Sequence, residues 1–326
     1  MEQLSKLSKK DKIEYLNSLR NEAIKYRYNL NFDRNITFGI EIEYENLLKK
    51  FSDILLSNLK QENLFFKDWK SKEEIDIQTY NEYGEEINGE ISSSILNDCL
   101  DTWKNLEHIL IELRNHDGYV TDLSGGHIHI GAQILGENTK YWKNLLILWA
   151  IYEEEIIKFS TGEFNTIRSK QSVHAKKLNK LLTNNLDEIL DINIKKPLFY
   201  LEKIRNIIST RNNKDIFLKK YSMNLGNVEK YNFSYNNTIE FRCPNATLDE
   251  IVWQNNINFF VNFLQSCKKE IDIEKLLSNL KNTEDKSFQL VDLVFEKELD
   301  KKNFLIQSFN LTDKYNKNIL YYKNRY

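Results

Sequence analysis

Proline and cysteine are both scarce in this sequence, which has two prolines and three cysteines among 326 residues. With so few prolines and no stretch rich in proline or serine, no segment has the composition of an interdomain linker. The cysteines are odd in number and lack the close spacing of metal-binding cysteines. We therefore expect free thiols in a reducing compartment, which argues against a disulfide-stabilised scaffold.

Long hydrophobic runs and an excess of one charge are also missing. The longest apolar run, Leu145–Tyr152, is far shorter than the roughly 20 residues that span a bilayer. Residues 1–12 are polar and contain no hydrophobic signal region. The net charge of -2 gives no global case for binding nucleic acid or an anionic membrane. We therefore predict a cytoplasmic protein with neither nucleic acid nor a membrane as a partner.

Three segments combine strand-like alternation with an unusual selection of polar side chains. Segments 38–44, 125–131 and 238–242 alternate apolar residues with glutamate, histidine or arginine. Because alternate side chains of a strand share a face, each strand would have one apolar face and one face carrying reactive groups. An ordinary half-exposed strand carries lysine, threonine or serine on its wet side, so this selection indicates a sheet whose open face binds metal and phosphate.

Apolar residues at helical spacing separate and follow these strands. They predict helices at 97–116, 139–160 and 247–267, the last one opened by Thr247 with Glu250 at capping-box spacing. Strands interleaved with helices predict an α+β fold, in which helices cover one face of an antiparallel sheet and leave the other open. The predicted parts are an N-terminal helical extension (1–35), a central domain (36–268) and a C-terminal helical tail packed on that domain (269–326).

Taken singly, the paired glutamates and the paired histidines each have an ordinary structural explanation. Glu41 and Glu43 would lie roughly 7 Å apart on one strand face. Like charges that close favour a cation between them, but an exposed edge strand with solubilising glutamates explains them as well. His127 and His129 suit either a metal site or a pair of hydrogen-bonded structural histidines. Glu45 continues the alternation to the strand end, where we expect its replacement to have little effect.

The remaining polar positions are equally ambiguous in isolation. Glu240 and Arg242 could bind a metal and a phosphate, or form a same-face ion pair. Glu90 stands among small residues and fits a polar strand edge or a turn. Arg168 follows a helix, where a surface arginine is the default.

In combination these motifs resemble the putative amidoligase family, within the superfamily of glutamine synthetase and glutamate–cysteine ligase. The specific motifs are Phe38-Gly39-Ile40-Glu41-Ile42-Glu43, Gly125-Gly126-His127-Ile128-His129-Ile130-Gly131 and Thr238-Ile239-Glu240-Phe241-Arg242. The weaker matches are Gly89-Glu90-Ile91-Ser92-Ser93, Arg168 and Tyr221-Ser222-Met223-Asn224-Leu225. The order and spacing fit the family over residues 36–265, which covers most of the chain.

The resemblance implies a glutamine-synthetase-like catalytic domain with a curved antiparallel sheet backed by helices. It also implies ATP- and Mg²⁺-dependent amide formation through an acyl phosphate, with ATP as co-substrate and two or more Mg²⁺, or Mn²⁺ instead. The implied substrates are an amine and a small-molecule or peptide carboxylate. The implied metal ligands are Glu41, Glu43, Glu90, His127 and Glu240. The implied catalytic and phosphate-binding residues are His129, Arg168 and Arg242.

The sequence also departs from the family pattern, and this leaves other functions open. The turn expected between the first two acidic positions is replaced by residues 69–76, and a Ser-Pro-Pro sequence is replaced by Ser92–Ser94. One alternative is a metal-dependent hydrolase, which would use Zn²⁺ or Mn²⁺ and need no ATP. Another is a non-catalytic nucleotide-binding module with the same fold. Neither the substrates nor the oligomeric state is readable, because the loops at 64–88 and 161–235 carry no recognisable signature.

Overall fold

The computed structural model describes residues 25–74, 77, 79–162, 174–212, 220–228, 237–280 and 286–309, together with isolated positions before residue 19. The strands are β1 (Phe38–Glu45), β2 (Lys70–Lys72), β3 (Asn88–Ser92), β4 (Gly126–Gly131), β5 (Met223–Asn224) and β6 (Thr238–Phe241). The longer helices are α1 (Lys49–Glu62), α2 (Leu100–Asn115), α3 (Thr139–Ser160), α4 (Asn179–Thr183), α5 (Leu186–Asp191), α6 (Pro197–Asn212), α7 (Glu250–Ser266), α8 (Ile273–Leu280), α9 (Ser287–Val294) and α10 (Glu298–Ser308).

The six strands form one antiparallel sheet in the order β2-β3-β1-β4-β6-β5. Every neighbouring pair is antiparallel, and long connections that contain helices separate β1 from β4 and β4 from β6. The sheet is open and is backed by helices, which confirms the predicted α+β fold. The strands that carry the three specific motifs, β1, β4 and β6, lie side by side at its centre.

The helical layer packs on the apolar face of the sheet. Phe241 in β6 shows the packing best, because its ring lies 5.6 Å from that of Trp149 in α3 and 4.1 Å from that of Phe260 in α7. All three side chains are fully buried. Burial of each large apolar side chain contributes about 1.5–3 kcal/mol, so this layer fixes the sheet from behind.

Gly126, beside the paired histidines, has a role in packing. It lies on the apolar face, since it is one residue out of phase with His127 and His129. A Cβ atom at Gly126 would lie 2.9 Å from the backbone oxygen of Asn245 and 3.0 Å from the ring of Trp253 in α7. The absence of a side chain therefore allows α7 to approach the sheet closely.

The predicted start of α7 is wrong by two to three residues. The N-cap is Asp249, whose carboxylate accepts a hydrogen bond from the Ile251 amide at 2.8 Å. Thr247 instead accepts from the Asp249 amide, and Glu250 pairs with Arg114 at 3.2 Å. The capping-box spacing fails here because the competing carboxylate of Asp249 satisfies the Ile251 amide in the first turn of the helix.

The C-terminal helices pack on the helical layer. Phe304 in α10 stacks on Phe159 in α3 with 4.5 Å between ring centroids. Within the described ranges, no helix is both long and apolar enough to cross a membrane. The three-part division of the chain stays a prediction, and most of its N-terminal extension lies outside the described residues.

Candidate functional site

The strand register gathers the predicted polar residues on the sheet face opposite the helices. In β1, Glu41 lies opposite His127 of β4. His129 of β4 lies opposite Glu240 of β6. Glu43 lies opposite Glu90 of β3. Because residues paired across a ladder point to the same face, the four glutamates and two histidines form one continuous polar surface.

The centre of this surface is formed by Glu41, His127 and Glu240. One ligand atom from each of these residues lies within 4.8 Å of the others, although the residues come from three different strands. His127 and Glu240 are buried, and Glu41 is partly exposed. The three side chains can therefore converge on one small ion that is reached from the side of Glu41.

The hydrogen bonds of His127 leave one ring nitrogen available to a ligand. Its Nδ1 atom lies 2.8 Å from Glu41 Oε2, so this nitrogen carries the proton and Nε2 keeps its lone pair. The buried Nε2 atoms of His127 and His129 lie 3.5 Å from carboxylate oxygens of Glu43 and Glu41. Neither atom makes a hydrogen bond with the described residues. Two buried nitrogens without hydrogen bonds beside several carboxylates fit a divalent cation, which would satisfy them.

The electrostatics of the centre favour the protonation states that bind a metal. Burial acts to raise the pKa of Glu41, but the hydrogen bond with His127 and the nearby imidazole of His129 outweigh it and hold that pKa well below its usual range. Burial likewise opposes ionisation of Glu240, yet the two histidines and Arg242 bring its pKa below the ordinary value. Burial also lowers the pKa of His127, with Arg242 adding to the effect against the opposing influence of Glu41. Ionised carboxylates are the forms that coordinate cations.

Arg242 lies beside the centre with its guanidinium directed at the carboxylate of Glu240. Its NH1 group donates to Glu240 Oε1, and its Nε lies 3.4 Å from the backbone oxygen of His174. The side chain keeps 11% of its surface exposed. A guanidinium held at the edge of a carboxylate cluster can grip phosphate oxygens bidentately.

Asn224 of the Tyr221–Leu225 segment also contacts the site. Its Nδ2 atom donates to Glu240 Oε2 at 2.7 Å, and Asn227 adds a longer contact of 3.3 Å to the same oxygen. The sequence match of this segment is weak, but strand β5 places Asn224 opposite Glu240. These amides orient the Glu240 carboxylate toward His127 and Arg242.

Glu90 and Lys72 occupy the other side of the surface. Lys72 of β2 lies opposite Glu90 of β3, and its Nζ is 2.7 Å from Glu90 Oε1 and 3.4 Å from Glu41 Oε1. Burial acts to lower the pKa of Lys72, but the two carboxylates outweigh it and raise that pKa. Lys72 was not among the predicted site residues, because the three-residue strand β2 has no apolar alternation. The altered segment 69–76 therefore supplies a residue that contacts the predicted metal ligands.

Glu45 is not the exposed strand-end residue that the sequence indicates. It is 2% exposed, and its Oε1 accepts hydrogen bonds from the Thr121 amide at 3.1 Å and the Ser124 hydroxyl at 2.7 Å. The Thr121 hydroxyl donates to the same oxygen at 2.5 Å. Glu45 is the last residue of β1, as predicted, but the segment that precedes β4 covers this end of the strand. The functional effect of replacing it stays a prediction, whereas its burial gives a reason to expect an effect on stability.

We expect Glu45→Ala to lower the free energy of unfolding by about 1–3 kcal/mol, since it leaves buried donors without an acceptor. Urea unfolding followed by circular dichroism measures the change. Glu62→Ala, at an exposed position at the end of α1, is the control and should shift stability by no more than about 0.5 kcal/mol. An equally small change for both variants would show that the Glu45 hydrogen bonds contribute nothing.

A cavity of about 260 Å³ adjoins the polar surface at Glu41 and His129. Small and hydroxyl-bearing residues form most of its wall, among them Thr37, Gly39, Ser92, Ser93, Ser94 and Thr238. No lysine or arginine lines it within the described part of the chain. The cavity is large enough for a small polar molecule and opens beside the candidate metal centre.

Arg168, the other predicted phosphate-binding residue, lies outside the described residues. The metal-binding and catalytic roles of the remaining candidates stay predictions, although the fold brings Glu41, Glu43, Glu90, His127, His129, Glu240 and Arg242 onto one face.

An open antiparallel sheet with a carboxylate–imidazole cluster and an arginine on the face opposite the helices defines a candidate metal-assisted active site. Residues 34–264 match the family described as "Putative amidoligase enzyme". The match covers most of the chain, so the protein belongs to this family, as the sequence motifs predicted. No curated protein matches the chain.

Proposed function

We propose that this protein is an ATP- and Mg²⁺-dependent carboxylate–amine ligase that forms an amide bond through an acyl phosphate. Membership of the amidoligase family supports an enzyme of the ligase type. The observation that carries the finer proposal is the meeting of Glu41, His127 and Glu240 within 4.8 Å, beside the guanidinium of Arg242. A cation site next to a phosphate-binding group is what transfer of a phosphoryl group from a nucleotide needs.

The residues of the polar surface divide into two roles in this proposal. The metal ligands would be Glu41, Glu43, Glu90, His127 and Glu240. These oxygen-rich ligands suit Mg²⁺, which when bound supplies charge neutralisation for the triphosphate of ATP. Arg242 and His129, with Arg168 as a further candidate, would contact phosphate oxygens.

The chain's own contribution to the chemistry is positioning and charge stabilisation. An oxygen of the substrate carboxylate forms a bond to the γ-phosphorus of ATP while the bond to the β-phosphate oxygen breaks, which releases ADP. The amine then attacks the acyl carbon, loses a proton and displaces inorganic phosphate. Arg242 stabilises the charge on the transferring phosphoryl group, so no side chain need act as a covalent nucleophile.

The cavity beside Glu41 and His129 is where we place one of the two organic substrates, a small-molecule or peptide carboxylate or an amine. It adjoins the proposed metal ligands, and its hydroxyl groups can hydrogen-bond a polar ligand. We place the reaction in the cytoplasm, since the chain has few cysteines and an ATP-dependent reaction needs an ATP pool.

The product nucleotide provides the test of this proposal. The purified protein is incubated with ATP, Mg²⁺ and a pool of candidate acids and amines, and ADP, AMP, phosphate and pyrophosphate are quantified. We expect ADP and phosphate to appear only with both substrates, and chelation of the metal to abolish their release. Substrate-dependent AMP would indicate adenylate chemistry and overturn the acyl-phosphate route.

A metal-dependent hydrolase is the second candidate, and the two buried Nε2 atoms favour it because imidazole nitrogens are preferred ligands of Zn²⁺. The same assay separates the two functions. Turnover by metal-loaded protein without any nucleotide would support the hydrolase. Nucleotide binding without turnover for any substrate pair would instead favour a non-catalytic module.

A further inference from the structure

We propose that the ammonium group of Lys72 takes the place of one metal ion, so that the protein without nucleotide binds a single divalent cation. That cation would be held by the centre formed by Glu41, His127 and Glu240. The inference rests on the metal site of the proposed function and not on the ligase chemistry. It assigns to Lys72 a role that determines how many ions the site takes.

The geometry of Lys72 is that of a cation inside a carboxylate cluster. Its Nζ lies 2.7 Å from Glu90 Oε1 and 3.4 Å from Glu41 Oε1, and thus bridges carboxylates of two neighbouring strands. Along the cross-strand row, Lys72 lies opposite Glu90, which in turn lies opposite Glu43. The hydroxyl of Ser92 also donates to Glu90 Oε1 at 2.7 Å. Glu90 Oε1 therefore already accepts from two donors, one of them a cation.

The charge balance of the surface leads to the same conclusion. Glu41, Glu43, Glu90 and Glu240 supply the negative charge of the described part of this surface. Arg242 and Lys72 each offset one carboxylate through a direct ion pair. Among the described residues, two of the four carboxylates therefore already have a cationic partner, and a second ion without its own anion would have to displace Lys72 from Glu90.

The ammonium group of Lys72 can move more readily than the carboxylate that it contacts. Glu90 is buried, whereas the Lys72 side chain is 47% exposed and comes from an edge strand. A nucleotide brings several negative oxygens, so further ions can enter with it while the lysine turns toward solvent or phosphate. The sequence-based expectation of two or more Mg²⁺ then applies to the state with nucleotide bound.

Counting bound Mn²⁺ on the full chain, without nucleotide, tests this inference. The free ion is measured by electron paramagnetic resonance during a titration, which reports binding whether or not the protein is active. We expect about one Mn²⁺ per chain for the wild type and for Lys72→Arg, and about two for Lys72→Met, because removal of the ammonium uncovers Glu90. Lys49→Met removes a 2.9 Å surface ion pair with Asp53 and should leave the count at about one.

The inference fails if Lys72→Met binds the same number of ions as the wild type, or if the wild type alone binds two. Circular dichroism of each variant checks the fold, which a half-exposed edge-strand substitution should preserve. The outcomes for the ligase proposal are separate. If Lys72→Met binds two Mn²⁺ where the wild type binds one, but no condition releases ADP, the inference about Lys72 holds and the proposed ligase reaction fails.

Discussion

Glu240→Gln should abolish metal-dependent turnover, with a loss of about 100-fold or more, while the protein stays folded. Glu240 is 1% exposed, and one of its carboxylate oxygens lies within 4.8 Å of a ligand atom of Glu41 and of His127. Glutamine keeps the volume but replaces one oxygen with a donor, which removes a ligand. The new donor would also face the amide of Asn224 or the guanidinium of Arg242.

The effect of Glu240→Gln is measured as steady-state ADP release over a range of Mg²⁺ concentrations, together with Mn²⁺ affinity. Glu154→Gln is the matched control, since Glu154 is exposed on α3 and pairs with the exposed Lys177. Full activity and unchanged Mn²⁺ affinity of Glu240→Gln would show that this carboxylate is structural. A loss in both variants would point to a general effect of the substitution rather than to the site.

Arg242→Lys should lower the rate of ADP release by more than about 10-fold, which corresponds to about 1.4 kcal/mol of transition-state stabilisation. Lysine keeps the charge but lacks the planar fork that matches phosphate oxygens. The guanidinium of Arg242 contacts Glu240 on one side and the backbone oxygen of His174 on the other. The single ammonium group of lysine cannot make both contacts in the same arrangement. Nucleotide binding should stay largely intact, because the metal ligands also hold the triphosphate.

Separate measurements of the rate and of nucleotide affinity decide this second prediction. Arg34→Lys, an exposed position before β1, serves as the control and should match the wild type in both. If Arg242→Lys loses nucleotide affinity but keeps its maximal rate, Arg242 binds the ground state only. An unchanged rate and affinity would exclude Arg242 from the reaction.

The period-two pattern of β1, β4 and β6 was sufficient to predict which polar residues share a face of the sheet. It could not supply the register, because β1 and β4 are separated by 80 residues of chain. The pairs Glu41–His127 and His129–Glu240 follow from hydrogen bonding between strands that meet only in the folded protein. The centre could thus be predicted as a set of residues, but its distances could not.

Lys72 and Glu45 show what the sequence alone does not contain. β2 is an edge strand of three residues, too short for alternation to identify it, so the lysine that contacts Glu90 had no recognisable signal. Glu45 obeys the same alternation as Glu41 and Glu43, yet it is buried by Thr121 and Ser124. Burial by a distant segment depends on tertiary structure, which a local pattern cannot report.

Phe241 connects the two layers of the molecule through a single strand. Its ring is wedged between α3 and α7, while Glu240 and Arg242, its direct neighbours, point to the opposite face. No loop lies between the aromatic packing and the groups proposed to bind metal and phosphate, so a shift of either helix is transmitted to both. Substitutions that loosen this aromatic contact should therefore impair ion coordination at temperatures well below those that unfold the chain, and a screen for thermal stability alone would overlook them.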